Sequence, residues 1–269
     1  RLISVSEFKM AIIIKTEHEI ELMRKAGEIL AKTHEELKKI IKPGISTYEI
    51  DKCGEDFIRS CGCEPSFLNY QGYPASICVS VNDEVVHGIP SKERILQEGD
   101  IVSLDAGVIY KGYHSDAART YGVGTIDSES VQLIEVTKQS FFEGLAQCRA
   151  GNHINDISKA VFGYVTKRGY SAVRDLVGHG VGAYLHEEPN VPNYPKLFKG
   201  PKLKPGMVIA IEPMINLGKA DVKTLPDGWT VKARDGKLSA HYENTVALTD
   251  EGKKLYQYAR TIINQMELI

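Results

Sequence analysis

The chain repeats itself, and this constrains its fold more than any other feature. Displaced by 107 positions, "KPGISTYEI" (42–50) falls on "RAGNHINDI" (149–157), and "GDIVSLDAGV" (99–108) falls on "GMVIAIEPMI" (206–215). Gly44 then meets Gly151, Ile50 meets Ile157, Gly99 meets Gly206, and Asp105 meets Glu212. Chance explains one short window of low identity, but two windows at one offset define a repeated unit. Each unit reads as helices followed by strands. From Thr16 to Ile41 the apolar Ile20, Met23, Leu30, Leu37 and Ile41 recur at helical spacing, and Thr16 with Glu19 has the form of a capping box. Pro43-Gly44 stops that helix, and Ser46 with Glu49 opens another that carries Ile50, Phe57 and Ile58 on one side. The second unit supplies helices around 129–149 and 155–168, with Gly151 between them. Two such units are expected to face each other about a pseudo-twofold axis, with their carboxylates meeting in a central acidic cleft.

Composition narrows the class. A chain of 269 residues with 42% apolar content and a formal charge of −2 can bury a large core and shows neither the polarity of disorder nor a lean toward nucleic acid. No apolar run approaches the roughly 18 residues of a membrane span, and no signal-peptide pattern is present, so the cytoplasm is the expected compartment. Cys53, Cys61, Cys63, Cys78 and Cys148 lack paired C-x-x-C spacing and read as reduced thiols, with thin support for a Cys61–Cys63 redox or metal pair. Arg1 is not a translation start and "MAIIIKTEHEIELM" from Met10 resembles one, so residues 1–9 read as an expression remnant. Residues 10–269 contain no proline- or serine-rich linker and read as a single domain with halves at about 10–125 and 126–269.

In the first half, "IVSLDAGVIYKGYHSDAARTY" reads as a hairpin. Alternation puts Ile101, Ser103 and Asp105 on one face, and Gly112 after Tyr110-Lys111 suits a type I turn closed by a bulge. Asp105 then sits opposite Asp116 or one step from it. Carboxylates about 5 Å apart across strands repel, and protonation, an intervening Arg or Lys, or a divalent cation is needed to compensate. In the second half, "AHYENTVAL" (240–248) supplies the returning arm, with Glu243 in the role of Asp116. The offset has grown from 107 to 127, so this hairpin carries about twenty extra residues, including "LPDGWTVKARDG". Asp105, Asp116, Glu212 and Glu243 thus converge, and a single lysine cannot offset four carboxylates. With a histidine added, this is the oxygen-rich set expected of two divalent ions sharing bridging carboxylates.

"GHGVGAYLHEEP" (178–189) supplies His179 and His186. It is not a dinucleotide loop, because the G-x-G-x-x-G spacing and a βαβ unit are missing. "HEEPN" is not the H-E-x-x-H zinc helix, since Asn190 stands at the second histidine's place and Pro189 disfavours a helix interior. "GNH" at 151–153 lacks the companion motifs of a metallophosphoesterase.

The order Asp105, Asp116, His179, Glu212, Glu243, carried by "NDEVVHGIP", "LDAGVIYKGYHSDAART", "GHGVGAYLHEEP", "IEPMI" and "YENTVAL", resembles the dinuclear metallopeptidases of the pita-bread fold. Among them it is most similar to the type 1 methionine aminopeptidases of the short bacterial form, over about residues 12–265. The resemblance implies an α+β fold of two pseudo-twofold-related halves, with a central antiparallel sheet covered by helices. It implies Asp105 as chelator of one metal, Asp116 and Glu243 as bridges, and His179 with Glu212 completing the other. The two divalent ions would be Fe, Mn, Co or Zn, which this ligand set does not distinguish. They would activate a bridging water, with Glu212 moving its proton to the leaving amine, His186 contacting the scissile peptide and His87 lying near the attacked amide. By the same resemblance the methionine pocket is walled by Phe67, Tyr70, Tyr73 and Cys78 of "FLNYQGYPASIC" and by Trp229, with Leu185 where relatives often have phenylalanine.

The implied substrates are N-terminal methionyl peptides and nascent chains with a small second residue. Ribosome association is left open, a monomer is expected, and neither a nucleic-acid motif nor a membrane partner is implied. The 26 positions from His186 to Glu212 leave no room for a type 2 insertion, and no zinc-finger extension precedes Thr16. Three other readings stay open. Proline-specific peptidases share the ligands but usually carry an extra N-terminal domain, non-catalytic relatives usually lack part of the ligand set, and a dinuclear phosphoesterase is chemically conceivable.

Overall fold

The computed structural model describes residues 11–249, and the segments 1–10 and 250–269 lie outside the described residues. The expected remnant at 1–9 and the end of the resemblance near 265 fall in those segments. Helix α1 (Glu17–Ile40) starts where the capping box requires: Thr16 Oγ1 accepts from the Glu19 amide, and the Glu19 carboxylate accepts from the Thr16 amide. Ser46 and Glu49 repeat the device at α2 (Thr47–Ser60). Leu30, Leu37, Ile50 and Ile58 of these helices pack with Val102 and Leu104 in one core. Full burial of each such side chain stabilises the fold by about 1.5–3 kcal/mol. In the second half, α3 (Ser128–Leu145) starts at the Asp127 cap and is followed by α4 (Ile154–Thr166). Helix α3 ends about four residues before the expected boundary, because Gln147 and Cys148 donate to Gly144 and Leu145 in tighter three-residue turns.

The repeat is visible in individual hydrogen bonds. Gly44 N donates to Leu96 O at 2.8 Å and Gly151 N to Leu203 O at 3.1 Å; Leu96 N donates to Ile45 O and Leu203 N to Asn152 O. The isolated bridges Ser46–Ile95 and His153–Lys202 are also related by 107 positions.

The strands of the first half are β1 (Glu64–Pro65), β2 (Ile77–Val81), β3 (Glu84–Val86), β4 (Ile101–Tyr110) and β5 (Tyr113–Gly122). Those of the second are β6 (Ser171–Ala172), β7 (Gly178–Gly180), β8 (Glu187–Val191), β9 (Val208–Ile211), β10 (Met214–Asn216), β11 (Val222–Thr224), β12 (Val231–Ala233), β13 (Ser239–His241) and β14 (Asn244–Ala247). All described pairings are antiparallel. β4 takes β1, β2 and β5 as partners, and the second half answers with the order β14-β9-β7-β8.

Register corrects three expectations. Tyr110 pairs with Tyr113, leaving Lys111 (φ 49°) and Gly112 (φ 82°) as a two-residue turn with both residues left-handed. That is the type I′ form, whose twist matches its strands, and not a type I turn with a bulge. Without the bulge residue Asp105 faces Ala118 and Asp116 faces Gly107, so the two carboxylates are diagonal neighbours on one face rather than opposite or one step apart. In the second hairpin Ile211 faces Asn244 and Met214 faces His241 on one continuous register interrupted at Pro213, so Glu212 falls opposite Glu243. The returning arms therefore correspond at an offset of 125, Leu104–Arg119 matching Ile211–Asn244, and not 127. Glu243 is the counterpart of Ala118, and His241 is the counterpart of Asp116. Matching carboxylate to carboxylate had slipped the arm by two residues. The added length is 125 less 107, or 18 residues.

The two halves meet along a seam through the pseudo-twofold axis. Ala118 and Glu243 exchange backbone hydrogen bonds at 3.3 and 3.0 Å. On one side of that pair Thr120 Oγ1 accepts from His241 N and donates to His241 O; on the other Thr245 Oγ1 accepts from Asp116 N and donates to Asp116 O. Threonine hydroxyls thus take the place of main-chain bonds at symmetry-related positions. Asp105, Ala118, Glu243 and Glu212 consequently form one row of cross-strand neighbours through the centre of the molecule.

Candidate functional site

Strand β7 explains the "GHG" triplet. A Cβ at Gly178 would lie 2.4 Å from Ala210 O, and one at Gly180 would lie 2.3 Å from Glu188 O, so only glycine lets the strand pass between its neighbours. His179 is the one side chain it carries. Its Nδ1 lies 2.9 Å from Gly180 O, and since a carbonyl can only accept, Nδ1 holds the proton. The Nε2 lone pair is left facing Glu212 Oε1 at 3.4 Å and Asp116 Oδ2 at 3.8 Å. Burial lowers the His179 pKa to about 3, so the ring stays neutral.

The four carboxylates lie deep in the molecule. Burial raises Asp116 to about 7 and holds Asp105, Glu212 and Glu243 well above the usual carboxylate range, with mutual repulsion adding to the last three. Arg119 opposes this at Glu243 as the smallest of its influences. Asp105 Oδ1, Asp116 Oδ1, Glu212 Oε1 and Glu243 Oε1 are buried without a hydrogen-bond partner. Orphaned oxygens in a cluster of like charge are the donor set that divalent cations satisfy, so these residues fit a metal centre. The ligand atoms of Asp116, His179 and Glu243 lie within 4.8 Å of one another, as do those of Asp105, His241 and Glu243, with Glu243 common to both groups. His241 was not singled out from the sequence; the 125-residue register would have found it.

A cavity of about 300 Å³ joins this cluster to an apolar cup. Phe67, Tyr73, Cys78 and Leu185 pack together with Tyr70 and Trp229 against them. Trp229 meets Tyr73 edge-on at 5.2 Å between ring centres and His87 at 6.2 Å. It reaches them because it sits on the excursion of the second hairpin, where β12 pairs with β3 of the first half, immediately before His87. Tyr70 Oη lies 2.7 Å from His186 Nδ1, and the His186 and His179 rings stand 4.1 Å apart. Burial lowers His87 to about 4 and also depresses His186. Every residue expected from the resemblance at the metal, catalytic and methionine-binding positions lines this cavity, together with Gln71, which was not expected there, whereas Cys61 and Cys63 do not.

Residues 21–250 match metallopeptidase family M24, and the chain belongs to that family of metal-dependent peptide hydrolases. The methionine aminopeptidase of Clostridium acetobutylicum is 53% identical over 91% of this chain and 98% of the relative, and methionine aminopeptidase 1 of Bacillus subtilis is 54% identical over 90% and 97%. Within the family the chain falls with the methionine aminopeptidases. A crystal structure of the methionine aminopeptidase from Rickettsia prowazekii superposes with a TM-score of 0.88 at 40% identity, covering 90% of this chain and 98% of that one. The prolidase from Pyrococcus furiosus shares the pita-bread fold at a TM-score of 0.73 and 26% identity, but the match covers only 64% of its length. No helix among the described residues is long and apolar enough to cross a membrane.

Proposed function

We propose that this chain removes the N-terminal methionine from peptides and nascent proteins with a small second residue, using two divalent ions held by Asp105, Asp116, His179, Glu212 and Glu243. The observation that carries the reading is the continuity of one cavity, apolar and aromatic at one end and lined by buried carboxylates at the other. A long, unbranched, polarisable side chain suits a cup of Phe67, Tyr70, Tyr73, Cys78, Leu185 and Trp229, which offers sulfur contacts and no charged partner. The acidic end receives the free α-ammonium group. When bound, the ions supply a water that ionises near neutrality and a polarised carbonyl. Fe, Mn, Co and Zn all suit this donor set.

The protein's own groups then have distinct tasks. Glu212 accepts the proton of the attacking water and returns it to the leaving amine. The Tyr70 hydroxyl, donating to Nδ1 of His186, keeps the imidazole proton on Nε2, where it can donate to the oxygen of the scissile amide as charge develops there. His87, neutral through burial, positions the same amide beneath Trp229. Crowding between the two imidazoles and the carboxylate floor limits the second residue to a small side chain. A cytoplasmic monomer acting on chains as they leave the ribosome is the setting this reading implies.

The prolidase alternative is disfavoured by 26% identity against 53–54% for the methionine aminopeptidases. Comparing kcat/KM for Met-Ala-Ser, Leu-Ala-Ser and Met-Leu-Ser tests the proposal, with X-Pro and aryl phosphate substrates as controls. Rapid cleavage of the first peptide alone is expected, and equal rates on all three would refute the specificity.

A further inference from the structure

We propose that His241 is a direct ligand of the metal ion on the Asp105 side of the centre, so that each of the two ions carries one imidazole. The inference rests on the dinuclear reading above and adds a protein donor to it. Three independent observations support it.

The first is symmetry. The operation that exchanges Asp105 with Glu212 exchanges His241 with Asp116, because the outgoing arms correspond at 107 residues and the returning arms at 125. Asp116 stands beside His179 on the Glu212 side. The mirrored place, beside Asp105, is occupied by His241.

The second is an unmet bonding requirement. His241 is 2% exposed, and neither Nδ1 nor Nε2 has a hydrogen-bond partner. A neutral imidazole has one N–H and one lone pair, and leaving both unsatisfied in an interior is costly. Ligation uses the lone pair. The neighbouring carboxylate does not accept from the ring N–H, since Nε2 lies 3.7 Å from Glu243 Oε2, beyond hydrogen-bond length.

The third is placement. The ligand atoms of Asp105, His241 and Glu243 lie within 4.8 Å of one another. Two donors each about 2.1 Å from a common ion are separated by up to about 4.2 Å, so small side-chain adjustments bring all three onto one cation. The backbone that carries the ring is fixed by both Thr120 bonds and by the Met214 pairing, so the imidazole is held at the site by the seam itself. An imidazole on the Asp105 side would move that position from an all-oxygen set toward the later first-row ions.

The test counts imidazoles on the intact protein loaded with two equivalents of Co(II), using the outer-shell ring scattering of X-ray absorption at the cobalt edge. Wild type is expected to show two imidazoles per two cobalt ions. His241→Gln, which keeps a polar side chain of similar length, should show one, with one ion bound about tenfold more weakly in calorimetric titration. Two cobalt ions with a single imidazole in wild type would overturn the inference while leaving the dinuclear reading intact. An unchanged count in His241→Gln would do the same, since the second ring would then come from elsewhere. Uptake of fewer than two cobalt ions would overturn both readings. The wild-type count decides the matter by itself if the variant does not fold.

Discussion

The two hairpins use one backbone plan and differ in how they turn. The first closes in two residues, Lys111 and Gly112, whereas the second leaves at Leu217, returns at Leu238 and spends the residues between on an excursion. In the proposed reading, metal chemistry comes from what the halves share, the row of facing positions across the seam. The proposed side-chain selection comes from where they differ, because the excursion carries β12 across to β3 and sets Trp229 over Tyr73. The helices show the same contrast. His34 and Phe141 are related by 107 positions and both are fully buried, but Phe141 packs on the Tyr242 ring while His34 bonds the Ala117 carbonyl at 2.9 Å. One position is filled by an apolar side chain in one half and a polar one in the other.

The comparison can be broken most severely on the axis. Glu243→Ala should lower kcat/KM by about 10³-fold or more and release one ion, with the circular dichroism spectrum unchanged. The counterpart change Ala118→Gly should leave metal content at its wild-type value. Full activity in metal-reconstituted Glu243→Ala would show that the shared row does not build the centre. Next in size, His186→Ala should retain both ions and lose about 10²-fold in kcat. Loss of metal instead, read by elemental analysis, would move His186 into the ligand set.

Trp229→Ala sharpens the contrast between shared plan and excursion. Discrimination of Met-Ala-Ser over Leu-Ala-Ser should fall about tenfold, the size of a hydrophobic-pocket effect, with metal content untouched. The smallest effect concerns the helix pair. Burial lowers His34 to about 3, against an unfolded value of 6.5, so the unfolded chain binds the extra proton first and stability declines as pH falls below 6.5. Between pH 7 and 5 this group should cost about 2 kcal/mol. His34→Leu, which makes the first half resemble the second, should reduce the stability lost over that interval by this amount in urea titrations. An identical pH dependence in both proteins would show that His34 does not titrate on unfolding as argued.

Local chemistry made much of this legible. Thr16 with Glu19 and Ser46 with Glu49 specify their helix starts through bonds spanning three residues, and the glycines around His179 announce a backbone with no room at its sides. The proposed ligands Asp105 and Glu212 were legible because they sit in the part of the repeat before any insertion. Register was not, because it depends on backbone pairing far along the chain. An 18-residue excursion allows a two-residue slip that exchanges one carboxylate for another, and the slip hid His241 behind Glu243. The turn type was missed for a related reason: Lys111 gives no sign in sequence that it will adopt a left-handed φ.

A residue beside a twofold axis meets its own image. Ala118 and Glu243 are such images, bonded to each other through their backbones with side chains on the same face of the sheet. Were both glutamate, two carboxylates would be driven into the space that one fills here; were both alanine, the proposed pair of ions would have no bridging carboxylate at the axis. Two identical copies of one half, paired as a homodimer, cannot carry glutamate at one of these positions and alanine at the other. One chain with two diverged halves can, and in the proposed centre the asymmetry at the axis is a condition for having a bridge at all.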